Sequence, residues 1–584
     1  MKEKLIQLGE RAFGLAKNLG ELSRRGPAMS ETQRFLLLSI VIGIFAGLVV
    51  VCFHISIEFL SWSTIHSSGS HSWLSTVLWP ALGGGVSYLL VMTIFPAARG
   101  SGVNNTKAAL YVSDGYVPFH SVPGKFIAST ISIGSGNPMG PEDPALQMGA
   151  GVASLLGRLF HLTRENMRLI APVGAAAGIG AAFNTPITAV LFVMEEVVAS
   201  WNAGVLGSIV LSAVSAVVVS RWYLGDDPLF RVPQFELTHP SELIVYAAIG
   251  IVGGVLSAYF ARWAGRLRRR AIGMPMRTRF GLPIYAGMIV GAVGVWMPEI
   301  LGAGYGAIDS ALHDRFPWHI LILLGLLKMI TASMCFSVGT PGGMFAPTLF
   351  IGAMFGGGLG ALAQLYSPFP TSTAGAYVLV GIGTFFAGLF RAPMTSIFMV
   401  FEISASYVII LPVMIANTIS YLISRRLQHE SLFHIIAHQD GLDLPSVEEQ
   451  REAPILSVED AMASGSSRVL RPDMTVAKAL AQMESGALQQ ALIALRPGVW
   501  GWVDKGRLET ILAQGADGER LDASIRGEVG EHLYPDLSLD SALRLFRTYP
   551  ILPVSSRANP KELRGSLTLD DVHRAYGIES SRQR

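Results

Sequence analysis

Gly134-Ser135-Gly136-Asn137-Pro138-Met139-Gly140-Pro141-Glu142-Asp143-Pro144 and Gly339-Thr340-Pro341-Gly342-Gly343-Met344-Phe345-Ala346-Pro347 decide the fold. Within them, Gly140 to Pro144 and Gly343 to Pro347 share a Gly-x-x-x-Pro frame, each preceded by glycines and followed by small-residue helical sequence. Downstream, Phe183-Asn184-Thr185-Pro186 leads to Glu195 just as Phe390-Arg391-Ala392-Pro393 leads to Glu402. Two matches in the same order, ~200 residues apart, predict a duplication. Glycine lets backbone approach a ligand closely, and proline in a first helical turn forfeits no hydrogen bond, so each frame reads as a helix start.

Composition puts those starts inside a bilayer. The chain has 584 residues, 51% hydrophobic and 15% charged, against a charged fraction of ~25% in ordinary soluble domains. Uncharged runs at Phe35–Phe53, Val197–Ser220, Ile244–Phe260, Tyr285–Pro298 and Pro347–Pro370 read as membrane segments. Several are short or interrupted by Gly and Pro, which predicts tilted, broken and re-entrant helices. Arg24 and Arg25 precede the first run, and Arg262, Arg266, Arg268, Arg269, Arg270, Arg277 and Arg279 crowd what reads as one loop. By the positive-inside rule both places face the cytoplasm, which makes the two halves antiparallel, an inverted repeat. This also disposes of a nucleic-acid role for the arginines. Cys52 and Cys335 lie in apolar segments and suggest neither a disulfide nor a metal site.

Residues 1–29 carry no signal-peptide pattern and read as a cytosolic N-terminal segment, so both termini are expected in the cytosol. Residues 30–438 form the expected membrane domain and 439–456 a linker. Beyond it, Pro472-Asp473-Met474-Thr475 with Ala479-Leu480 recurs as Pro535-Asp536-Leu537-Ser538 with Ala542-Leu543. That repeat predicts two small α/β modules, 457–515 and 516–584, packed as one unit. The fold class is therefore an all-α, multi-pass inverted repeat with a C-terminal α/β pair.

A helix start exposes free N–H donors and the positive end of the helix dipole. Three such starts, the third at Gly100-Ser101-Gly102, would hold an anion without a fixed positive side chain, which would bind too tightly to release it. The competing reading is that the glycines merely allow close helix packing. Glu142, Asp143, Glu195, Glu196 and Glu402 sit in apolar sequence where a carboxylate is costly to desolvate. Glu142, in a first turn, reads as a gate that occupies the anion position when ionised; Asp143 reads as a helix cap. Glu195 and Glu402 hold equivalent repeat positions and read as structural, whereas Glu196 faces Ile403 in the repeat and reads as a proton relay. No zinc-protease, phosphate-loop or nucleophile-elbow motif occurs, so no enzyme is expected. His54, His434 and His438 read as ordinary membrane-edge or helix-end residues, and no metal site is assigned.

These motifs resemble the CLC family of chloride channels and chloride/proton exchangers over nearly the whole chain. Gly100-Ser101-Gly102 looks like the first filter motif, Gly140 to Pro144 is similar to the family's Gly-Arg-Glu-Gly-Pro, and Gly343 to Pro347 matches its Gly-x-Phe-x-Pro. The resemblance implies chloride bound by Ser101, Gly102 and the amides of Met344, Phe345 and Ala346. It further implies Glu142 as gating glutamate, Glu196 as inner proton glutamate, and coupled chloride/proton antiport in a homodimer. A passive chloride channel is the alternative, and a membrane sensor the reading from another class. Pro141 and Asp143 replace the family's Arg and second Gly, Phe433 stands where the family has an ion-coordinating tyrosine, and Val103-Asn104-Asn105-Thr106-Lys107 departs from the usual Ile-Pro-Glu. The C-terminal pair resembles CBS modules, which often bind adenine nucleotides; Thr568 and Asp571 match the nucleotide-contacting frame, Asp504 and Arg507 are a degenerate counterpart, and a purely structural dimerisation pair is the alternative. No cofactor is expected to be required.

Overall fold

The apolar run at Phe35–Phe53 extends both ways into α1 (Glu31–Ser61), opened by a capping box between Ser30 and Gln33. The computed structural model describes residues 30–576 apart from 67–72, 200–202, 227, 231, 234–237, 443, 445–455, 516–517, 519, 522–527, 558 and 560. Arg24, Arg25 and most of the expected linker lie outside these residues. The chain forms two units, 1–450 and 451–584.

The first half of the membrane unit continues with α2 (Trp73–Thr93), α3 (Gly102–Tyr111), α4 (Ser121–Gly134), α5 (Glu142–Leu159), α6 (Arg164–Phe183), α7 (Pro186–Phe192) and α8 (Ala203–Leu224). The second half repeats that order as α9 (Glu242–Ile272), α10 (Met276–Trp296), α11 (Tyr305–Leu312), α12 (Trp318–Ser337), α13 (Phe345–Tyr366), α14 (Ala374–Phe390), α15 (Pro393–Ser404) and α16 (Ile410–Leu427). A last helix, α17 (Leu432–Gln439), has no counterpart among the described residues of the first half. Eight of the described helices are long and apolar enough to cross a bilayer. Their outer faces leave Leu82, Val86 and Leu89 of α2 exposed, and Trp222 and Trp296 stand exposed near helix ends, as lipid and its interface require.

Two apolar runs are cut differently from expectation. Val197–Ser220 is not one segment: Val193–Val198 is a π-helical turn after α7, Ala199 takes a left-handed conformation, and α8 begins at Ala203. The arginines from Arg262 to Arg270 lie on α9 and Arg277 and Arg279 on α10, not in a loop. Arginine is a good helix former and favours a helix C-terminus, so the helix runs through the charges.

The halves interlock through their paired glutamates. Glu195 accepts from the Thr395 amide and hydroxyl, both at 2.9 Å, and caps the start of α15. Glu402 accepts from the Ile187 amide at 2.9 Å and the Thr188 amide and hydroxyl at 2.7 and 2.5 Å, capping α7. Buried lysines repeat likewise: Lys125 donates to the Ala98 and Gly100 carbonyls before α3, Lys328 to those of Ile300 and Gly302 before α11. Helix-interior glycines serve packing, since a methyl group on Gly149 would sit 2.1 Å from the Gly174 carbonyl oxygen and one on Gly352 2.4 Å from that of Gly381.

The second unit runs α18 (Val458–Ala461), β1 (Ala463–Ser464), β2 (Val469–Leu470), α19 (Val476–Ser485), β3 (Gln490–Arg496), β4 (Val499–Asp504), α20 (Lys505–Ala513), β5 (Glu528–Val529), α21 (Leu539–Leu543), β6 (Ile551–Ser555), β7 (Leu563–Thr568) and α22 (Leu569–Ala575). Its sheets are ordered β1-β7-β6 and β2-β3-β4-β5. Thus β1 pairs with β7, Ala463 opposite Ser566, and β5 with β4, Trp500 opposite Val529. The modules expected at 457–515 and 516–584 exchange edge strands rather than closing separately, and each short strand covers an edge of the other's sheet.

Removing Glu402 leaves the Ile187 and Thr188 amides and the Thr188 hydroxyl without their acceptor. Glu402→Ala should lower stability by about 2–3 kcal/mol, read as a fall in thermal midpoint in detergent, and Glu195→Ala should do the same. Unchanged midpoints in both would remove the interlock.

Candidate functional site

The two Gly-x-x-x-Pro frames meet. Gly140 and Gly343 exchange both backbone hydrogen bonds at 2.8 Å, an antiparallel bridge that sets the starts of α5 and α13 side by side. Pro144 and Pro347 each stand third in their helix, where an N–H would have no intrahelical partner anyway. The approach is tight at 140: a methyl group there would lie 2.2 Å from Glu142 Oε2 and 3.0 Å from the Ala346 nitrogen. The Glu142 carboxylate is thereby pressed against the start of α13.

The third start, at α3, is joined to the same place by Asp143. Ser101 Oγ donates to Asp143 Oδ1 at 2.8 Å, the Gly102 amide to Oδ2 at 2.8 Å and the Val103 amide to Oδ1 at 3.1 Å. Asp143 does cap a helix, as its sequence position suggests, but the helix is α3 and not its own α5. The serine hydroxyl and glycine amide that the resemblance assigns to chloride are therefore already engaged by a carboxylate of the chain. Glu142, one residue earlier, turns the other way. Its Oε1 accepts from the Tyr305 hydroxyl, while Oε2 is buried without a hydrogen-bond partner. Tyr305 opens α11 after Gly302-Ala303-Gly304, a fourth glycine-led start that corresponds in the repeat to Ser101-Gly102. That glycine cluster is the sequence signal for a fourth start.

Met344 is the N-cap of α13, and Phe345 and Ala346 are its first two residues, so their amides point out of the helix start. The Phe345 ring is the hub of an aromatic cluster, with centroids 5.0 Å from Phe192, 5.0 Å from Phe390 and 6.0 Å from Phe433. Phe433, on α17, thus reaches the α13 start with a ring and no hydroxyl. Its carbonyl accepts from Asn104 Nδ2 at 2.9 Å. Glu196 takes a separate partner, lying on the π turn and pairing with the buried Lys107 at 2.5 Å. Asn104 and Lys107 are two of the residues by which α3 departs from the family pattern; one ties α3 to α17, the other neutralises Glu196.

A cavity opens onto Gly100 and Ser101 between α2, α9, α10 and the loop at Gly339–Gly342. Lys125, Arg268 and Arg279 line it. Arg268 also pairs with Asp440 at 2.7 Å. A concave surface with one sign of charge concentrates the opposite ion.

In the second unit, Thr568 and Asp571 form a capping box on α22, with Asp571 Oδ2 accepting from the Thr568 amide at 2.9 Å and its hydroxyl at 2.7 Å. Arg468 donates to both carboxylate oxygens. Burial alone would raise the Asp571 carboxyl, yet the hydrogen bonds from Arg468 and Thr568 hold it below its ordinary value. Asp504 caps α20 through the Arg507 amide at 2.8 Å.

An inverted repeat of broken helices whose starts converge on buried carboxylates defines an integral membrane transport protein. The profile of the voltage gated chloride channel family matches residues 83–425, and the chain belongs to that family. An H(+)/Cl(-) exchange transporter ClcA from Vibrio campbellii is 28% identical over 417 residues, covering 69% of this chain and 89% of its own. One from Vibrio vulnificus is 30% identical over 398 residues, 65% of this chain and 84% of its own. Among solved structures, a slow cyanobacterial Cl-/H+ antiporter has a TM-score of 0.65 at 23% identity, covering 73% of this chain and 100% of its own. A eukaryotic CLC transporter has a TM-score of 0.59 at 18% identity and covers 92% of this chain and 98% of its own. Both share the fold.

Asp143→Gly should free Ser101 and the α3 amides for an external anion, tightening chloride binding at least about tenfold in calorimetric titration of the detergent-purified protein. Asp143→Asn, which keeps the shape and removes the charge, should fall between. Equal affinities in all three would show that no anion approaches the α3 start.

Proposed function

We propose that this protein exchanges chloride for protons across a membrane, with Glu142 as the moving carboxylate. The observation that carries this reading is the contrast between the neighbours Glu142 and Asp143. Asp143 is held by three donors, and charge-assisted hydrogen bonds contribute about 1.5–3 kcal/mol each. Glu142 is held by the Tyr305 hydroxyl alone among side chains, with one oxygen unpartnered. Protonation removes its attraction to the α13 start, and the amides of Phe345 and Ala346 then become available to chloride. The proton carried away on Glu142 and the anion that replaces it move in opposite senses, which is exchange. The relatives named as H(+)/Cl(-) exchange transporters support the same reading.

The remaining assignments belong to this proposal. Positive charge on the α9–α10 corner and along the cavity at Ser101 supports a cytosolic reading of that face, with both termini on the same side. The protein works as a homodimer with a complete pathway in each subunit. Glu196 passes protons from the inner side to Glu142. The second unit is a CBS-like pair. An adenine nucleotide that uses Thr568 and Asp571 there has to compete with Arg468 for the carboxylate.

One observation favours passive chloride conduction as a second reading. Protonating Glu196 would leave the buried ammonium of Lys107 without its partner, which costs several kcal/mol, so the pair as it stands resists relaying a proton.

Reconstituted vesicles under a chloride gradient, with a pH electrode outside, separate the two. Exchange drives protons uphill; conduction moves chloride alone. Under exchange, Glu142→Gln should abolish proton movement while chloride still passes, and proton coupling that survives in this variant would remove Glu142 from the mechanism. For the second unit, ATP titrated onto the full-length protein should bind Thr568→Ala at least about tenfold more weakly than the parent chain; equal binding, or none to either, would leave Thr568 and Asp571 with capping alone.

A further inference from the structure

His434 and His438 lie one turn apart on α17, a spacing that puts both imidazoles on one face of a helix. Sequence reading treats them as ordinary helix-end residues, because their third partner stands outside the helix. The structure supplies it. Glu430, in the turn before α17, places Oε1 4.0 Å from His438 Nε2. The two histidine Nε2 atoms are 2.9 Å apart with their rings at 86°. All three ligand atoms lie within 4.8 Å of one another.

This donor set, two imidazoles and a carboxylate, suits a tetrahedral zinc ion that keeps one position for water. Two nitrogens at the usual zinc distance stand about 3.3 Å apart, so a slight ring rotation accommodates the ion. The support is already in place. Arg391 donates to the Gln428 and His429 carbonyls and pins the turn that carries Glu430. Ser431 caps α17 by accepting from the His434 amide at 3.3 Å. The side chains of Glu430 and His438 are nearly half exposed, at 46% and 47%, so an ion can arrive from solvent.

We propose that Glu430, His434 and His438 form a binding site for a divalent transition metal of the zinc class, and that its occupancy restrains α17 and slows ion movement. The link to transport is Phe433, next in sequence to His434. Its ring packs on Phe345 at the α13 start, and its carbonyl holds Asn104 of α3. A metal bridging Glu430 to α17 fixes that helix against the turn before it, and with it the aromatic wall beside the anion site.

The test uses full-length protein and zinc alone. Calorimetric titration in detergent should give one zinc per chain, weakened at least about tenfold in His434→Gln and in His438→Gln. In vesicles with zinc on both faces, parent-chain chloride flux should fall as the site fills. The two variants should keep their zinc-free flux and lose the inhibition. Unchanged zinc binding in the His434→Gln/His438→Gln double variant, or no saturable binding to the parent chain, overturns the site. One-to-one binding that leaves flux untouched overturns its regulatory role. The binding measurement does not depend on which ions the protein carries.

Discussion

Backbone N–H groups at a helix start, buried where no water reaches, have to find acceptors, and the rest of this membrane unit follows from that constraint. Four carboxylates answer it at four helix starts. Glu195 and Glu402 cap each other's half and close the repeat on itself. Asp143 caps α3. Glu142 lies against α13 but is the least tied of the four, with a single side-chain donor and a bare oxygen. The same electrostatics thus yields structure where the acceptor is saturated and, where it is not, the carboxylate proposed as the gate.

The duplication sorts the polar residues further. Where both halves carry the residue, the two copies do the same structural work, Lys125 and Lys328 each in its own half and Glu195 and Glu402 each in the other. Where the halves differ, the site appears. Glu142 and Asp143 stand opposite Phe345 and Ala346 in the shared frame, Ser101 opposite Ala303, and Glu196 opposite Ile403. One half supplies charges and the other supplies bare amides and aromatic rings, and their contact through Gly140 and Gly343 brings the two kinds together. A symmetric pair of frames would have offered either four carboxylates repelling one another or no charge at all.

Much of this was legible because it is local. The Gly-x-x-x-Pro frames state where helices begin, and the order of repeated motifs states the architecture. Partners distant in sequence were not legible. Lys107 meets Glu196 across 89 positions, and Tyr305 meets Glu142 across 163. Nothing in a stretch such as Val103-Asn104-Asn105-Thr106-Lys107 says which acidic residue its lysine will face. The Arg262–Arg279 segment was misplaced for a different reason: dense charge after an apolar run suggests a loop, yet arginine prolongs a helix well. In the C-terminal unit, strands of two residues fall below any pattern that a sequence can show, so the exchange of β1 and β5 between modules was invisible.

Transport demands that an anion be attracted and then released, and the arrangement divides those tasks by distance. Arg268 and Arg279 line the cavity outside Ser101, where positive charge gathers anions while water still screens it. Deeper in, the attraction comes only from helix starts, each worth a fraction of a charge, and carboxylates of the chain oppose it. Asp143 makes that opposition permanent at α3, because breaking three charge-assisted bonds to admit one chloride has no comparable return. In the proposed mechanism the anion is left with the α13 amides as its inner station, and it stands there only when Glu142 is absent from them. On that proposal a single mobile carboxylate governs both the occupancy of the site and the proton that neutralises it, which ties the two ions together without requiring them to touch.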